Sequence, residues 1–357
     1  MSGGQERLPV RPPPASPAGR VVTVEFDSAV LAGNPWGDPT RRLLHVYLPP
    51  GYSAAAERYP VFWDLAAYTS AGPAHSAWRQ RGENLPQRLD RLHAEGAIGP
   101  VICAMPDCYT SLGGNQYVDS PALGRYAAYL VDELVPLVDT EFRTIKEARG
   151  RAVFGKSSGG YGALSLVCRR PGVWGAVAAH APDCGFDRVY FPEFPIACRV
   201  LAPYAGDLIG FVAEFWRRRE VGSDDWRALM VLCLAASYDP DPAVPERLRL
   251  PFTLDTCELD PAAWARWAAF DPLHFCRESS RHLGHLAGLW LDAGERDEYH
   301  IQFGLRQLHQ QLTAAGIAHT YETFSGGHRD LDWRLDHSLP YLYRALAAGG
   351  CPDRRSG

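Results

Sequence analysis

Residues 150–162, GRAVFGKSSGGYG, satisfy two patterns that carry chemistry in proteins. The stretch 150–157 matches G-x-x-x-x-G-K-[ST], in which a glycine-rich loop binds phosphates and the lysine reaches them. The stretch 155–159 matches G-x-S-x-G, in which a serine on a sharp strand-to-helix turn is a nucleophile. The first pattern predicts nucleotide hydrolysis with Lys156 as a phosphate clamp, and the second predicts acyl chemistry at Ser157.

The local order of apolar residues separates the two patterns. A phosphate loop follows a buried strand, but residues 141–149 are too charged to form one. Residues 151–154, Arg-Ala-Val-Phe, form an apolar run that predicts a strand ending at the serine turn. Residues 161–170 then have helical spacing, so strand, turn and helix follow in the order of a nucleophile elbow. We therefore favour Ser157 as a nucleophile, with a glycine-rich turn without chemistry as the alternative.

A serine hydroxyl is a weak nucleophile and needs a histidine base, which a carboxylate orients. Of the twelve histidines, His328 alone follows the last predicted strand, 319–324, on a Ser-Gly-Gly loop. His309 and His337 fall in helical patterns, and His180 ends the strand after the elbow, where it could line a pocket. His328 is therefore the predicted base.

The orienting carboxylate is expected at the end of the preceding predicted strand. Residues 291–298, Leu-Asp-Ala-Gly-Glu-Arg-Asp-Glu, contain four carboxylates. Asp297 lies past the turn glycine, where its side chain can reach the loop of His328, and it is the predicted acid. Three further carboxylates remain alternatives for this role: Asp292, Glu295 and Glu298.

Acyl transfer also requires hydrogen-bond donors for the oxyanion, which are usually backbone N–H groups. The residue after the nucleophile, Ser158, is one expected donor because its amide begins the predicted helix. The second is expected in the loop after the strand 60–66, at Tyr68 or a residue beside it. Neither prediction depends on the side chain at these positions.

Strand patterns alternate with helical patterns, which predicts an α/β fold with a mostly parallel central sheet flanked by helices. The predicted strands cover residues 21–30, 42–48, 60–66, 100–105, 151–154, 174–179, 286–291 and 319–324, with the first two as an antiparallel pair. The predicted helices cover residues 85–95, 123–142, 161–170, 301–315 and 331–347. We expect one catalytic domain over residues 21–348, between a disordered Pro/Arg-rich tail at 1–20 and a flexible tail at 349–357.

Residues 185–284 interrupt this alternation with helical patterns and Pro-rich breaks. We expect a helical, cap-like insertion that shapes a substrate pocket and limits water. For each of its tryptophans, filling the core of the insertion itself is the alternative: Trp216, Trp226, Trp264 and Trp267.

Composition excludes several classes of protein. The net charge of −5 does not favour nucleic-acid binding, and no apolar run approaches the roughly 18 residues of a membrane span. The N-terminus lacks the apolar core of a signal peptide, and the nine cysteines are scattered without metal-ligand spacing. These features predict a cytoplasmic protein with reduced thiols and no structural zinc site. The serine chemistry predicts a small-molecule ester as substrate and requires no metal or cofactor. The sequence leaves the oligomeric state open.

Several motifs in one order resemble the esterase D-like branch of the α/β-hydrolases, which includes S-formylglutathione hydrolases, enterochelin and feruloyl esterases, and antigen 85 mycolyltransferases. The similarity spans about residues 40 to 345. It rests on YLPPGY (47–52), PVFW (60–63), MPD (105–107), ELVP (133–136), GKSSGGYGA (155–163), GERD (294–297) and GGH (326–328).

The resemblance implies an α/β-hydrolase fold and serine-dependent hydrolysis of esters or thioesters, with Ser157, Asp297 and His328 at the positions of the family triad. The chain departs from the family in its oxyanion loop, which usually resembles H-G-x-G and here reads AAYT (66–69). It departs also at Lys156, where neutral or His side chains are common. The alternatives are an acyltransferase with the same acyl-enzyme and a catalytically silent binding protein.

Overall fold

In a computed structural model, the described residues are 18–52, 57–241, 243–244 and 247–348. The tails predicted at 1–20 and 349–357 lie outside these residues, apart from 18–20. Arg20 already belongs to the first strand.

A mixed sheet of eight strands forms the centre of the molecule, in the order β1-β2-β4-β3-β7-β8-β9-β10. Strand β2 runs antiparallel to both of its neighbours. Six of the strands, β4, β3, β7, β8, β9 and β10, are mutually parallel. The eight strands are β1 (Arg20–Asp27), β2 (Arg41–Leu48), β3 (Val61–Leu65), β4 (Ile102–Pro106), β7 (Arg151–Lys156), β8 (Ala176–His180), β9 (Gly288–Gly294) and β10 (Thr320–Phe324). All eight predicted strands are present, with ends shifted by a few residues.

The parallel strands β3, β4, β8 and β9 are buried along their whole length. This burial follows from their apolar sequences, because helices cover both faces of a parallel sheet. On one face of the sheet, helix α5 (Ser158–Arg169) packs against β7. This is the helix that follows Ser157. On the other face, α2 (Leu85–Ala94) and α14 (Leu335–Ala348) contribute Leu89 and Leu342 to a second apolar cluster.

The remaining elements connect the strands of the sheet along the chain. A two-stranded ribbon pairs β5 (Asp119–Ser120) with β6 (Gly124–Arg125). The other helices outside the predicted insertion are α1 (Gly72–His75), α3 (Tyr126–Ala128), α4 (Val135–Glu141) and α13 (Ile301–Ala314). Short 3-10 turns cover Ala148–Gly150 and Leu331–Arg334.

The helix predicted over residues 123–142 differs in its start and its regularity. The ribbon occupies residues 124–125, so the helical segment begins at Tyr126. A π-helical turn, Tyr129–Leu134, separates α3 from α4. Pro136 lies in the first turn of α4, where the missing N–H costs least. The ribbon and helix α1 were not predicted, because segments of two to four residues carry no readable periodicity.

The described residues of the stretch 185–284 form seven α-helices, in agreement with the predicted helical patterns, and those between 239 and 260 form no helix. The segment contains α6 (Phe186–Tyr190), α7 (Phe194–Leu201), α8 (Leu208–Arg217), α9 (Ser223–Tyr238), α10 (Pro261–Ala268), α11 (Pro272–Glu278) and α12 (Ser280–Leu283). An aromatic cluster joins it to the elbow helix, since Tyr161 of α5 packs on Phe186 and donates its hydroxyl to the Phe270 carbonyl at 2.9 Å. Trp267 is fully buried in that cluster. Trp267 therefore fills the core of the insertion, which was the alternative to shaping a substrate pocket.

Three further properties are limited to the described residues. None of their helices is by itself long and apolar enough to cross a membrane, although one bent pair, Phe186–Tyr204 with Leu208–Arg217, meets the length and composition criteria. Eight of the nine cysteines are described, and all eight are free thiols. No group of three or more His, Cys, Asp and Glu side chains in this part of the chain could hold a metal ion.

Candidate active site

Ser157 lies at the turn between β7 and α5, and its backbone is strained. Its φ of 55° and ψ of −127° are unusual for a residue with a side chain. A Cβ on Gly155 would stand 2.5 Å from the Gly159 backbone, and a Cβ on Gly159 would collide with the Leu65 carbonyl oxygen. Both glycines of the pattern are therefore required by close backbone contacts. The turn has the strand, sharp bend and helix of a nucleophile elbow.

The phosphate-loop alternative is inconsistent with this geometry. Residues 151–156, which would have to form the loop, are the buried strand β7 in the middle of the sheet. Gly150 ends a 3-10 turn before that strand. Lys156 Nζ lies 2.9 Å from a carboxylate oxygen of Asp332, so its charge is directed into an ion pair. A backbone cradle for phosphates cannot form from a paired strand.

His328 lies next to Ser157, across the end of the sheet. Its Nε2 is 2.9 Å from Ser157 Oγ, and its Nδ1 is 2.8 Å from Asp297 Oδ2. The loop after β10 can approach this closely because Gly294 has no side chain, since a Cβ there would stand 2.5 Å from the Gly326 carbonyl oxygen. The three side chains thus form one continuous hydrogen-bonded chain from carboxylate to hydroxyl.

Four carboxylates lie in β9 or directly after it, and each has a different environment. Asp297 is 2% exposed and also accepts the Tyr299 N–H at 2.9 Å, which orients its carboxylate toward His328. Glu298 accepts the backbone N–H of His328 at 2.6 Å. Glu295 is exposed and lies 3.4 Å from the Thr323 hydroxyl. Of the four, only Asp297 contacts the imidazole.

The fourth carboxylate, Asp292, belongs to a separate buried cluster. It lies 2.8 Å from His180 Nδ1 and accepts hydrogen bonds from Trp290 Nε1 at 2.9 Å and Arg334 Nε at 2.8 Å. Burial acts to raise the pKa of Asp292, but the His180 and Arg334 contacts outweigh it and the pKa is lowered. His180 Nε2 is occupied by Ser338 Oγ at 2.9 Å. This second His-Asp pair is therefore saturated by its own neighbours.

The two expected oxyanion donors lie at adjacent strand ends. Ser158 is the first residue of α5, where a backbone N–H has no partner within the helix. Tyr68 follows β3, and its hydroxyl donates to the Leu112 carbonyl at 2.9 Å. The next amide in the loop, that of Thr69, donates to the Gly113 carbonyl at 2.9 Å. Thr69 is thereby removed from the candidates, whereas Ser158, Tyr68 and its other neighbour Ala67 remain.

Comparison with known proteins identifies the family. Residues 39–338 match the model of the Esterase family, described as "Putative esterase". The chain belongs to this family. It is 30% identical over 157 residues to an endo-1,4-beta-xylanase/feruloyl esterase of Xylanibacter ruminicola, covering 40% of this chain and 20% of that protein. It is 24% identical over 351 residues to an esterase of Mycobacterium tuberculosis, covering 94% of this chain and 62% of that protein. The chain therefore spans less than two thirds of both curated relatives.

Solved structures show the same fold at low sequence identity. A ferulic acid esterase superposes with a TM-score of 0.61 at 19% identity, covering 92% of this chain and 98% of that one. An S-formylglutathione hydrolase from Agrobacterium tumefaciens superposes with a TM-score of 0.56 at 18% identity, covering 93% and 97%. These likenesses establish the α/β-hydrolase fold predicted from the sequence.

A cavity of about 370 Å³ lies beside the elbow, on the side of Lys156. Its wall includes the loop at Tyr68 and Thr69, and ionisable side chains from three segments: His75, Arg79, Lys156 and Asp332. None of the four tryptophans of the insertion lines this cavity. His180 does line it, as its position after the elbow suggested, but both ring nitrogens of His180 are already bonded.

Sequence reasoning missed two buried ionisable groups near the site. Asp64, within β3, pairs with His75 of α1. Asp183, after β8, accepts the Tyr190 hydroxyl at 3.0 Å; burial raises the pKa of Asp183 to about 6, although the charge of His328 opposes the rise. The available signals were an acidic residue inside a strand, Asp64, and one shortly after a strand, Asp183, but no spacing pattern linked either to its partner.

Proposed function

We propose that this chain hydrolyses carboxylic esters through an acyl-enzyme on Ser157. His328 is the proposed general base and acid, and Asp297 is the carboxylate that orients it. The supporting observation is the unbroken hydrogen-bond chain from Asp297 Oδ2 through His328 to Ser157 Oγ, with the serine on a strained elbow. Membership of the Esterase family agrees with this chemistry.

In the proposed first step, His328 Nε2 accepts the proton of Ser157 as Oγ attacks the ester carbonyl carbon. Asp297 accepts a hydrogen bond from His328 Nδ1–H and stabilises the imidazolium that forms. The imidazolium then protonates the leaving alcohol, which departs as the acyl-enzyme forms. Water, deprotonated by the same Nε2, releases the acid and restores the Ser157 hydroxyl. Every proton in this cycle moves between His328 and one of three groups: the Ser157 hydroxyl, the leaving alcohol or water.

We further propose that the N–H groups of Ser158 and Tyr68 bind the oxyanion. An N–H at a helix start is unpaired and lies at the positive end of the helix dipole, which favours an anion. The loop that carries Tyr68 is supported by a neighbouring segment: the Tyr117 hydroxyl donates to the Ala66 carbonyl at 2.5 Å. Such support keeps the donors fixed before charge develops, which is the source of their effect.

The names of the relatives direct the choice of substrates. Feruloyl esterase and S-formylglutathione hydrolase both appear among them, so we propose aromatic acyl esters and short acyl thioesters as the first classes to screen. The cap role of residues 185–284 also stays a proposal. Its support is that the aromatic cluster of the insertion packs on Tyr161 of the elbow helix.

The test is a fluorophosphonate probe together with hydrolysis of p-nitrophenyl acetate and methyl ferulate. Wild type should be labelled and should turn over at least one ester, whereas Ser157→Ala should do neither. Ser223→Ala, which removes an exposed serine at the start of α9, is the matched control and should behave as wild type. Labelling that persists in Ser157→Ala would refute the proposed nucleophile.

Product analysis separates the remaining alternatives. Hydrolysis predicts that the free acid is the product even when an acceptor alcohol is added in excess. A new ester with the added alcohol would identify an acyltransferase using the same acyl-enzyme. Unreacted probe and intact esters with folded wild type would instead indicate a binding protein.

A further inference from the structure

An ion pair joins the two segments that carry the proposed nucleophile and base. Lys156 directly precedes Ser157, and its Nζ lies 2.9 Å from Asp332 Oδ1. Asp332 lies four residues after His328, in the 3-10 turn Leu331–Arg334. The two partners are thus 176 positions apart in the chain, yet each is close in sequence to a reacting group.

The second oxygen of the same carboxylate binds a third segment. Asp332 Oδ2 accepts a hydrogen bond from Arg79, which lies between α1 and α2. Burial acts to raise the pKa of Asp332, but the charges of Lys156 and Arg79 outweigh it and hold the pKa well below its usual range. Asp332 is therefore ionised throughout the pH range in which the enzyme would work, and both ion pairs persist there.

Such a network is poorly explained as a source of stability. The side chains are about a quarter to two fifths exposed, at 34% for Lys156, 26% for Asp332 and 42% for Arg79. Ion pairs of this exposure contribute little to the free energy of unfolding. All three side chains also line the open cavity of about 370 Å³, so they are not held by close packing on that side. A role in holding the three segments of Lys156, Asp332 and Arg79 in fixed relative positions fits these observations better.

Lysine is rare in this chain, so its occurrence directly before Ser157 is unusual. Of the 36 basic residues only two are lysines, Lys146 and Lys156. Lys146 is exposed, and it supplies a matched control for any effect of removing a lysine.

We propose that Lys156 and Asp332 are positioning residues that fix the His328 imidazole relative to the Ser157 hydroxyl, with Arg79 orienting the carboxylate. This inference rests on the proposed function of Ser157 and His328. The pair connects the elbow to the histidine segment on the side of the cavity that Lys156 and Asp332 line. Neither residue exchanges a proton with substrate.

The expected effect is a loss in the rate of chemistry. Proton transfer between Ser157 Oγ and His328 Nε2 depends on their 2.9 Å separation, and a misplacement of about 1 Å costs about 100-fold in rate. We expect Lys156→Met and Asp332→Asn each to lower kcat by about 10- to 100-fold. KM should change much less, because neither residue is proposed to bind the ester.

A purely electrostatic role for Lys156 predicts a different result. An effect of the Lys156 charge alone would move the acidic limb of the pH–rate profile and leave the plateau of kcat high. A positioning role lowers the plateau itself. Lys156→Arg keeps both the charge and a donor within reach of Asp332, and should restore most of the plateau.

The experiment measures kcat, KM, the rate of fluorophosphonate labelling and the pH–rate profile on the full chain. The variants are Lys156→Met, Asp332→Asn, the double variant, Lys156→Arg and the control Lys146→Met. Circular dichroism and thermal midpoints report whether each variant is folded. If the two residues act through their contact, the double variant should lose about as much kcat as either single variant, not the product of the two losses.

The inference is overturned if folded Lys156→Met and Asp332→Asn keep the kcat of Lys146→Met, or if their losses multiply in the double variant. Should Lys156→Met fail to fold, the nearly isosteric Asp332→Asn decides alone, by its kcat plateau. Failure of the proposed function is distinguishable, because an active Ser157→Ala would reject the nucleophile itself. An inactive Ser157→Ala with normal Lys156 and Asp332 variants would reject only the positioning role.

Discussion

Asp297 and Glu298, adjacent in the chain, contact different parts of one residue. Asp297 Oδ2 lies 2.8 Å from the Nδ1 of the His328 ring, whereas Glu298 Oε2 accepts the backbone N–H of His328 at 2.6 Å. One carboxylate therefore acts on the imidazole and the other on the loop that carries it. The backbone hydrogen bond from His328 lowers the pKa of Glu298, so this contact stays charged at neutral pH.

This difference predicts unequal losses when each carboxylate is replaced by its amide. Asp297→Asn presents a donor to Nδ1 and favours the wrong tautomer of His328, so kcat should fall by about 10³- to 10⁴-fold. Glu298→Gln keeps an oxygen that can accept the His328 N–H, and its loss should be about tenfold or less. Ester hydrolysis at pH 7.5 compares the two. Equal losses would mean that the orienting carboxylate has been assigned wrongly.

The contact between the end of β9 and the histidine loop predicts the effect of adding one methyl group. A Cβ on Gly294 would stand 2.5 Å from the Gly326 carbonyl oxygen, and something must shift to accommodate it. Gly294→Ala should displace the loop and lower kcat by about 100-fold or more. Gly284→Ala is the control, because its Cβ would meet only atoms at 3.5 Å and beyond. Full activity in Gly294→Ala would show that the loop adjusts without moving His328.

The His75–Asp64 pair predicts a pH-dependent contribution to stability. Burial acts to lower the pKa of His75, but the Asp64 carboxylate outweighs it and the pKa is raised. The pair therefore stabilises the fold fully below the unfolded-state pKa of about 6.5, and this stabilisation is lost as the pH rises through the higher folded-state pKa. Urea unfolding should show that His75→Gln is destabilised most at pH 5.5 and progressively less toward pH 9. His282→Gln, at an exposed site, is the control. A difference that grows with pH would contradict the assignment.

Burial of Asp183 predicts that its replacement stabilises the fold, whereas replacement of His75 destabilises it. Burial raises the folded-state pKa of Asp183 to about 6, so the native state holds a proton that the unfolded chain releases near pH 4. This group therefore removes stability as the pH rises from about 4 to 6, by at most about 3 kcal/mol. Asp183→Asn lacks that loss and can still accept the Tyr190 hydroxyl, so it should gain stability over wild type between pH 4.5 and pH 7. Asp187→Asn, at an exposed site, should not. An unchanged difference across that interval would contradict the raised pKa.

The sequence predicted the fold, the turn at Ser157 and the glycine loop before His328 because all three depend on local patterns. Buried apolar strands set the parallel sheet, and the ends of parallel strands meet at one edge. Gly155 and Gly159 mark the elbow by a backbone requirement that glycine alone meets, and the glycine loop before His328 marks the other end of the site. These signals are readable within about ten residues of chain.

Tertiary structure decided which of several chemically equal side chains does what. Asp292, Glu295, Asp297 and Glu298 fall within seven consecutive positions on a strand end and turn, where neighbouring side chains point in different directions. Only packing directs Asp297 to the imidazole and Asp292 to Arg334. The contact between Lys156 and Asp332 likewise spans 176 positions and follows no spacing rule. Side-chain type is written in the sequence, but direction and partner depend on how distant segments pack together.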